Sequence, residues 1–380
     1  MTNKLTVLAG LLCLLECCSP NAHKKSPSEQ INISIRKSSI PRSVSFSEAI
    51  KEIRIVPLET TTGCLLQRVV QVDEAGGKIF VFDQDVTRGL FVFDREGKFL
   101  YRFGNKGKGP GEFTGLTTFT FSKDLNTIYF CAAEQKKLIA YDIAGKWIED
   151  IPLSIFYGDL QFLSNNQYVM SLQRGSYFRI GELKSNSYRD TIKFSSGISS
   201  YGGRQLFKTT DEGYLYSATS SDTVYSVSSH DIFPKYCFDF GPNKCTAEEQ
   251  WSAWEKYKNP YPPNKLILGG PYLETNDWFM FRILGEASSG YYRYMVMIRN
   301  TITGDIQQIG TDDILFSSAE QAISLTNQNE FVTALDVGHL IEKRDSILNH
   351  NQFEYPSGMQ ERIKKLSQDD NPVLVFFTLK

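Results

Sequence analysis

Histidine is scarce in this chain, with four in 380 residues, and none stands at metal-ligand spacing from another. His23, His230, His339 and His350 form no His-Glu-x-x-His pair, and no Gly-x-Ser-x-Gly elbow occurs. Cysteine is sparse too. Cys13, Cys17 and Cys18 belong to the N-terminal segment, leaving Cys64, Cys131, Cys237 and Cys245. Without a Cys-x-x-Cys pair, neither a zinc site nor a dense disulfide framework is indicated. Cys237 and Cys245 are close enough in sequence to bridge in an oxidising compartment, although a packed strand cysteine is the simpler state for Cys237. A surplus of either charge is missing as well: 41 Lys and Arg face 43 Asp and Glu, a net charge of -2. Nucleic-acid binding normally shows a basic surplus, so no nucleic-acid partner is expected. No apolar run reaches the roughly 20 residues of a spanning helix. Nothing points to a cofactor or a resident metal.

The chain begins with a positively charged stretch (residues 1–4) and a short apolar run without charge (residues 5–15), the pattern of a secretory signal. Leu15-Glu16-Cys17-Cys18 follows, then the polar residues 19–29. An apolar run closing on a cysteine resembles a bacterial lipoprotein signal, which implies that the cysteine becomes the new N-terminus and carries lipid. Cys18 fits that role, with the small Cys17 before it and Leu15 three positions back. Glu16 is an untypical neighbour that keeps Cys17 open, and a plain secretory cut near Ser19 is the other reading. Export is expected in each case. A lipid would anchor the protein to a membrane without spanning it, on a periplasmic or surface face that the residues leave open. The expected division is a signal at 1–18, a tether and start of the mature chain at 19–49, and a folded domain at 50–380.

Aromatic residues are abundant, with 26 Phe and 19 Tyr, and they favour pleated, half-buried strands. One unit recurs six times, a polar turn followed by a strand of alternating aromatic and aliphatic residues. It reads EAGGKIFVFD at 74–83, KDLNTIYF at 123–130, SNNQYV at 164–169, TDEGYLY at 210–216, TNDWFM at 275–280 and TNQNEFV at 326–332. The strands open at Ile79, Ile128, Tyr168, Tyr214, Trp278 and Phe331, with steps of 49, 40, 46, 64 and 53 residues. A four-stranded propeller blade takes roughly 40–50 residues, so the period is that of blades. Hairpins around Gly97, Gly145 and Gly304 add a second strand pair in several units.

The order strand, aspartate, strand, Gly turn, strand and a Gly-rich loop ending Gly111-Glu112-Phe113 resembles the NHL-repeat class of propellers. With IVPLET at 55–60, GNKGKGPGEF at 104–113 and DNPVLVFFTLK at 370–380, the chain is similar to six-bladed propeller lipoproteins of gut Bacteroidetes. The expected fold is therefore all-β: a six-bladed β-propeller of four-stranded antiparallel blades. An open seam would expose sheet edges, so the strand at 53–58 is expected to pair with the strand at 372–379 and close the ring. A short helix is expected at 358–367, with Met359, Ile363 and Leu366 on one face.

Candidate functional residues fall in three places. The Gly-rich loop 104–111 invites a phosphate cradle, but no Gly-Lys-Ser/Thr closes it and no helix follows, so the glycines read as turn formers. Arg88, Arg95, Arg102, Lys106 and Lys108 cluster around it. They could meet a sulfated or carboxylated glycan or anionic lipid, or simply form a solvated face. The insertion at about 241–270 holds Trp251, Trp254, Tyr257 and Tyr261. Thr246 and Glu249 form a capping-box pattern before a helix at 247–258, halted by Asn259-Pro260. Its aromatics suit stacking on sugars or gripping a partner, or else packing on the propeller. The chain thus reads as a non-catalytic binding or assembly module for a glycan, peptide or partner protein. The alternative is a metal-dependent hydrolase or lyase at the channel mouth, with Asp83, Asp85, Asp142 and Asp222 at strand ends as ligands. Aspartates there are also ordinary turn formers.

Overall fold

The computed structural model describes residues 30–84, 89–153, 158–171, 177–183, 185, 187–193, 206–209, 213–217, 221–229, 231–257, 262–286, 292–310, 323–326, 328–349 and 358–380. Six antiparallel sheets of four strands succeed one another as the blades of a β-propeller. The first blade runs Val69–Ala75, Lys78–Asp83, Gly89–Asp94 and Phe99–Arg102. The second to fifth repeat that order from Thr118–Phe121, Asp159–Phe162, Phe207–Lys208 and Ile267–Glu274 as innermost strands. Each of the six sequence units runs into a blade's second strand: Lys78–Asp83, Thr127–Ala132, Gln167–Ser171, Tyr214–Tyr216, Trp278–Glu286 and Phe331–Leu335, with residues 210–212 and 327 of the units outside the described residues.

The near-continuous apolar runs in these strands follow from the architecture. Successive side chains of a strand point to opposite faces, and each blade face is covered by a neighbouring blade. Phe80, Phe82, Leu90 and Val92 of the first blade pack against Phe119, Ile128 and Phe130 of the second. The alternate residues Ile79, Val81, Phe91 and Phe93 pack against Val332, Leu374 and Phe376 of the sixth. The core is therefore laid between blades. Polar bonds run beside it: Gln71 Nε2 donates to the Phe119 carbonyl (2.9 Å), and Tyr214 Oη donates to the Phe162 carbonyl (3.0 Å).

The sixth blade closes the ring as expected. Its strands are Ser324–Leu325, Phe331–Leu335, Val373–Leu379 and, outermost, Ile50–Pro57 from the other end of the chain. Val375 lies opposite Ile55, and Phe376 opposite Arg54. Residues 373–377 are all buried, and fully burying an aliphatic or aromatic side chain contributes about 1.5–3 kcal/mol. Asn371, just before that strand, ties the seam. Its Nδ2 donates to the carbonyls of Glu59 (2.8 Å) and Cys64 (2.9 Å), and its Oδ1 accepts from the Leu66 N–H (2.8 Å). In the first blade's outer hairpin Gly97 has φ +82°, and a Cβ there would lie 2.3 Å from the Pro57 carbonyl oxygen, so only glycine fits.

Residues 30–49, assigned to the tether from sequence, carry two further strands. Ile31–Ser34 pairs in parallel with Ile232–Asp239, and Ser43–Val44 with Ile306–Ile309, each as a fifth strand on the rim of its blade. The helix Met359–Lys364 falls inside the expected span and buries Ile363. A helix the sequence reading did not anticipate, Val337–Leu348, starts after Asp336, whose Oδ1 accepts from the His339 N–H (3.2 Å). No described helix is long and apolar enough to cross a membrane. Cys64, Cys131, Cys237 and Cys245 are free thiols.

Candidate functional site

The chain direction in the blades makes the two ends of the propeller different. Turns from first to second and from third to fourth strands are short and share one face. The opposite face carries the long connections at 58–68, 103–117, 240–266 and 336–372.

On that elaborated face the Gly-rich loop leaves the strand Phe99–Arg102. Gly104 has φ +63°, and a Cβ on it would meet the Phe113 ring at 2.6 Å. Asn105–Lys106 then pairs in parallel with Glu112–Phe113. The loop amides are spent inside the protein: Gly107 N–H donates to the Phe113 carbonyl (3.0 Å), Gly109 N–H to Glu112 Oε2 (2.9 Å), and Gly111 N–H to Asp150 Oδ1 (3.0 Å). Burial works against the Asp150 carboxylate, but Lys137, Trp147 and the Gly111 N–H together hold its carboxyl below the usual range. A phosphate cradle needs those N–H groups free, so the structural reading of the glycines is the correct one.

Beside the loop a cavity of about 200 Å³ opens over Phe91, Phe103 and Phe113, with Gly89 and Gly104 as walls and Arg102 and Lys106 as its charged lining. The three rings are buried and both cations are exposed. Among the described residues neither Arg102 nor Lys106 has an ion-pair partner. Arg88 lies outside the described residues.

The insertion opens with a 3-10 turn, Gly241–Asn243, and the helix Ala247–Tyr257. The capping box forms as the sequence indicates: Glu249 N–H donates to Thr246 Oγ1 (3.2 Å) and Thr246 N–H to Glu249 Oε2 (2.9 Å). Lys265 lies 2.7 Å from Glu249 and holds that carboxyl below its usual value. Gln250 and Ala253 face inward, while Trp251 is 51% exposed. The side chains of Trp254 and Tyr257, and Tyr261 altogether, lie outside the described residues.

The channel is lined by the innermost strands. A cavity of about 220 Å³ at the short-turn end takes Gln71 and Asp73 from the first blade, Thr120 and Lys123 from the second and Gln161 from the third. The fourth blade adds Lys208, Thr209 and Tyr214, and the sixth Thr326 and Asn329. Lys208 Nζ reaches Asp73 Oδ2 at 3.5 Å, which links opposite blades across the channel. Sequence reasoning passed over these residues. The available signal was their position, since each lies just upstream of, or within, one of the six recurring turns.

The strand-end aspartates do not converge. Asp83 Oδ1 accepts from the N–H groups of Gln67 (3.0 Å) and Arg68 (2.8 Å). Asp142 Oδ1 accepts from Ala144 (3.0 Å) and Lys146 (2.9 Å), and Asp222 pairs with Lys244. Asp85 lies outside the described residues. Among the described residues no three His, Cys, Asp or Glu side chains are grouped as a metal site would require.

No curated protein matches the chain. Among solved structures it is similar to a Bacteroides fragilis NCTC 9343 protein predicted to be exported, with a TM-score of 0.72 at 16% identity over 92% of this chain and 99% of that one. It is also similar to a member of the duf4221 family from Bacteroides vulgatus, with a TM-score of 0.50 at 11% identity over 87% and 97% of the two chains. At such identities the likeness is one of fold. Residues 28–378 match the model of a family described as a domain of unknown function, DUF4934, and the chain belongs to that family.

Proposed function

We propose that this chain is an exported, lipid-anchored binding module without catalytic activity that grips an anionic glycan on its elaborated face. The cavity beside the Gly-rich loop carries the reading. Two cations without a carboxylate partner among the described residues, Arg102 and Lys106, stand over a floor of three phenylalanines. A guanidinium recognises sulfate or carboxylate with two parallel hydrogen bonds, and an apolar ring floor suits the C–H face of a sugar. The volume of about 200 Å³ holds one sugar ring, smaller than the site of a drug-sized ligand. Exposed Trp251, with Trp254, Tyr257 and Tyr261 near it in sequence, would extend the grip along a polymer, and Arg88 would add charge beside Arg102. Residues 5–15 and Cys18 support export and anchoring, and the Bacteroides fragilis protein of the same fold is itself predicted to be exported. The order of strands and Gly turns in the first two blades supports an NHL-like propeller. Peptide and protein ligands are the outcomes the experiment must separate.

The test is calorimetric titration of residues 19–380 with chondroitin sulfate and polygalacturonate, and amylose as the neutral control. The anionic polymers should bind and weaken with salt. Arg102→Ala with Lys106→Ala should cost tenfold or more, and Trp251→Ala less. Binding of neither anionic polymer, or binding unchanged in the double variant, would sink the proposal. Mass spectrometry of the mature N-terminus in Cys18→Ala and Cys17→Ala cells tests the anchor; a lipid retained in Cys18→Ala shifts it to Cys17.

A further inference from the structure

Trp147 opens the outermost strand of the second blade, Trp147–Pro152, and is 42% exposed. Exposure alone would mean little, because single apolar side chains are common on protein surfaces. What distinguishes this ring is how firmly it is held and what it stands beside. Its Nε1 donates to Asp150 Oδ1 (3.0 Å), and that carboxylate is fixed in turn by Lys137 Nζ (2.7 Å) and the Gly111 N–H (3.0 Å). The pyrrole edge lies against Gly111, which has φ +71° and where a Cβ would stand 2.9 Å from Trp147 Cδ1. The indole is thus bonded at its N–H and packed along one edge while much of its surface stays in solvent.

The same glycine links the ring to the cavity over Phe91, Phe103 and Phe113. Asn105–Lys106 pairs with Glu112–Phe113, so Gly104 and Gly111 enter neighbouring strands of one ribbon. Tyr141 Oη, which donates to the Gly111 carbonyl, lies 3.0 Å from a Cβ position on Gly104 and 3.3 Å from one on Gly111. Gly104 is a wall of the cavity, and Gly111 carries Trp147. One strand spacing and one ring contact, roughly 8 Å together, therefore separate the indole from the cavity wall. Trp251, by contrast, belongs to the insertion between the fourth and fifth blades, on the far side of the ring from a cavity built on the first.

We propose that Trp147 is a second subsite of the glycan site: a neighbouring ring of the chain held at Arg102 and Lys106 stacks its C–H face on the indole. The inference rests on the anionic-glycan reading and makes the ligand an oligosaccharide stretch, more than a single sugar. A ring already fixed by Asp150 and Gly111 loses little freedom on binding, so its stacking adds affinity. Stacking reads C–H groups and no charge, so the platform accepts an acidic or a neutral ring. The cavity sets the charge of the ligand, and Trp147 sets its length.

Calorimetry on residues 19–380 compares D-galacturonate with its tetramer, and D-glucuronate with a chondroitin sulfate hexasaccharide. In at least one pair the oligomer should bind tenfold or more tightly than the single acid. Trp147→Ala should remove most of that gain, and Trp147→Phe should keep it. Oligomer binding should change the tryptophan fluorescence, and Trp147→Phe should lose the greater part of the change while still binding. Where urea melts show that Trp147→Ala loosens the Gly-rich loop, Trp147→Leu refills the space against Gly111 without an aromatic face and should also lose the gain. A gain retained in Trp147→Leu, or a fluorescence change retained in Trp147→Phe, would overturn the subsite. In that case oligomer binding still falls in Arg102→Ala with Lys106→Ala, and the glycan reading stands. Binding of no oligomer, or binding unchanged in that double variant, overturns both.

Discussion

Asn371 is 2% exposed at the point where the ring closes, and its removal measures how far the seam depends on one side chain. Asn371→Ala deletes four side-chain hydrogen bonds, one of them a weak bond to Cys64 Sγ (3.6 Å), and leaves the Leu66 N–H and the Glu59 and Cys64 carbonyls without this partner. A hydrogen bond contributes about 1 kcal/mol net, and a buried group left unsatisfied costs about 1–3 kcal/mol. The two Cys64 bonds are buried while those to Leu66 and Glu59 are part-buried, so water replaces some of the loss, and the expected cost is about 2–3 kcal/mol. Asn371→Asp keeps the shape and the Leu66 bond but turns the donor into an acceptor facing two carbonyl oxygens. Its carboxyl should be held above the value of about 3.9 in the unfolded chain. Between the unfolded value and the raised folded one, the folded state binds more protons, so stability falls as pH rises. Urea melts at pH 7 and pH 4.5 read both variants. The alanine deficit should be the same at both values, and the aspartate deficit should shrink at the lower pH. An alanine deficit under about 1 kcal/mol, or an aspartate deficit independent of pH, would refute the reasoning.

Burial pushes the Glu74 carboxyl up while Arg54, 3.1 Å away, pulls it down. Arg54→Met removes the guanidinium that lies over Phe376 (3.7 Å) and pairs with both Glu74 and Glu330, at about 1–2 kcal/mol in urea melts after discounting for partial exposure. That deficit should shrink as pH falls through the raised folded pKa, and Glu74→Gln in the same background should restore part of it, the Glu330 pair and the Phe376 contact staying lost. Gly97→Ala forces an L side chain into positive φ and against a carbonyl, and should cost about 1–3 kcal/mol by thermal melting, more if the strand shifts. Cys64 and Cys245 are pushed up by burial to about 12 and about 11, and Cys131 is buried. Native-state iodoacetamide labelling of residues 19–380 at pH 8 should therefore modify Cys237 first, with the other three protected until denaturant is added.

The six second strands were legible because each couples a polar turn to a run with both faces apolar, a pattern long enough to stand above chance. Closure was legible for a similar reason, since IVPLET and PVLVFF are both buried strands with no other partner in sequence. The innermost strands were not. Phe207–Lys208 and Ser324–Leu325 are two residues each, too short for any period to show, and they help build the channel. Ile31–Ser34 and Ser43–Val44 escaped notice likewise, because rim strands bury one side chain or none. Val337–Leu348 did carry a signal in Val337, Leu340, Ile341 and Leu348, which pack at helical spacing on the core. Of the candidate site, Arg102 could be picked out as part of a basic cluster. Lys208 and Asp73 could not, because what joins them is the ring, at a sequence separation of 135.

The unequal faces follow from strand geometry. Within a blade a hairpin turns between strands about 4.8 Å apart, so a turn as short as residues 76–77 suffices. From the outermost strand of one blade to the innermost of the next, the chain must cross three such spacings, about 14 Å, which takes at least about four extended residues. All those crossings share one face, and so does the sixth blade's insertion at 336–372. Once a connection is long, further residues add little closure entropy, roughly 0.6 kcal/mol per doubling. Insertions such as 240–266 therefore accumulate where connections are already long. The described turns of the opposite face stay tight, so the channel lining there is set by innermost strands that insertion does not disturb. The loop 103–117 therefore stands on the elaborated face and the polar channel lining at the short-turn end, a division that strand direction alone imposes.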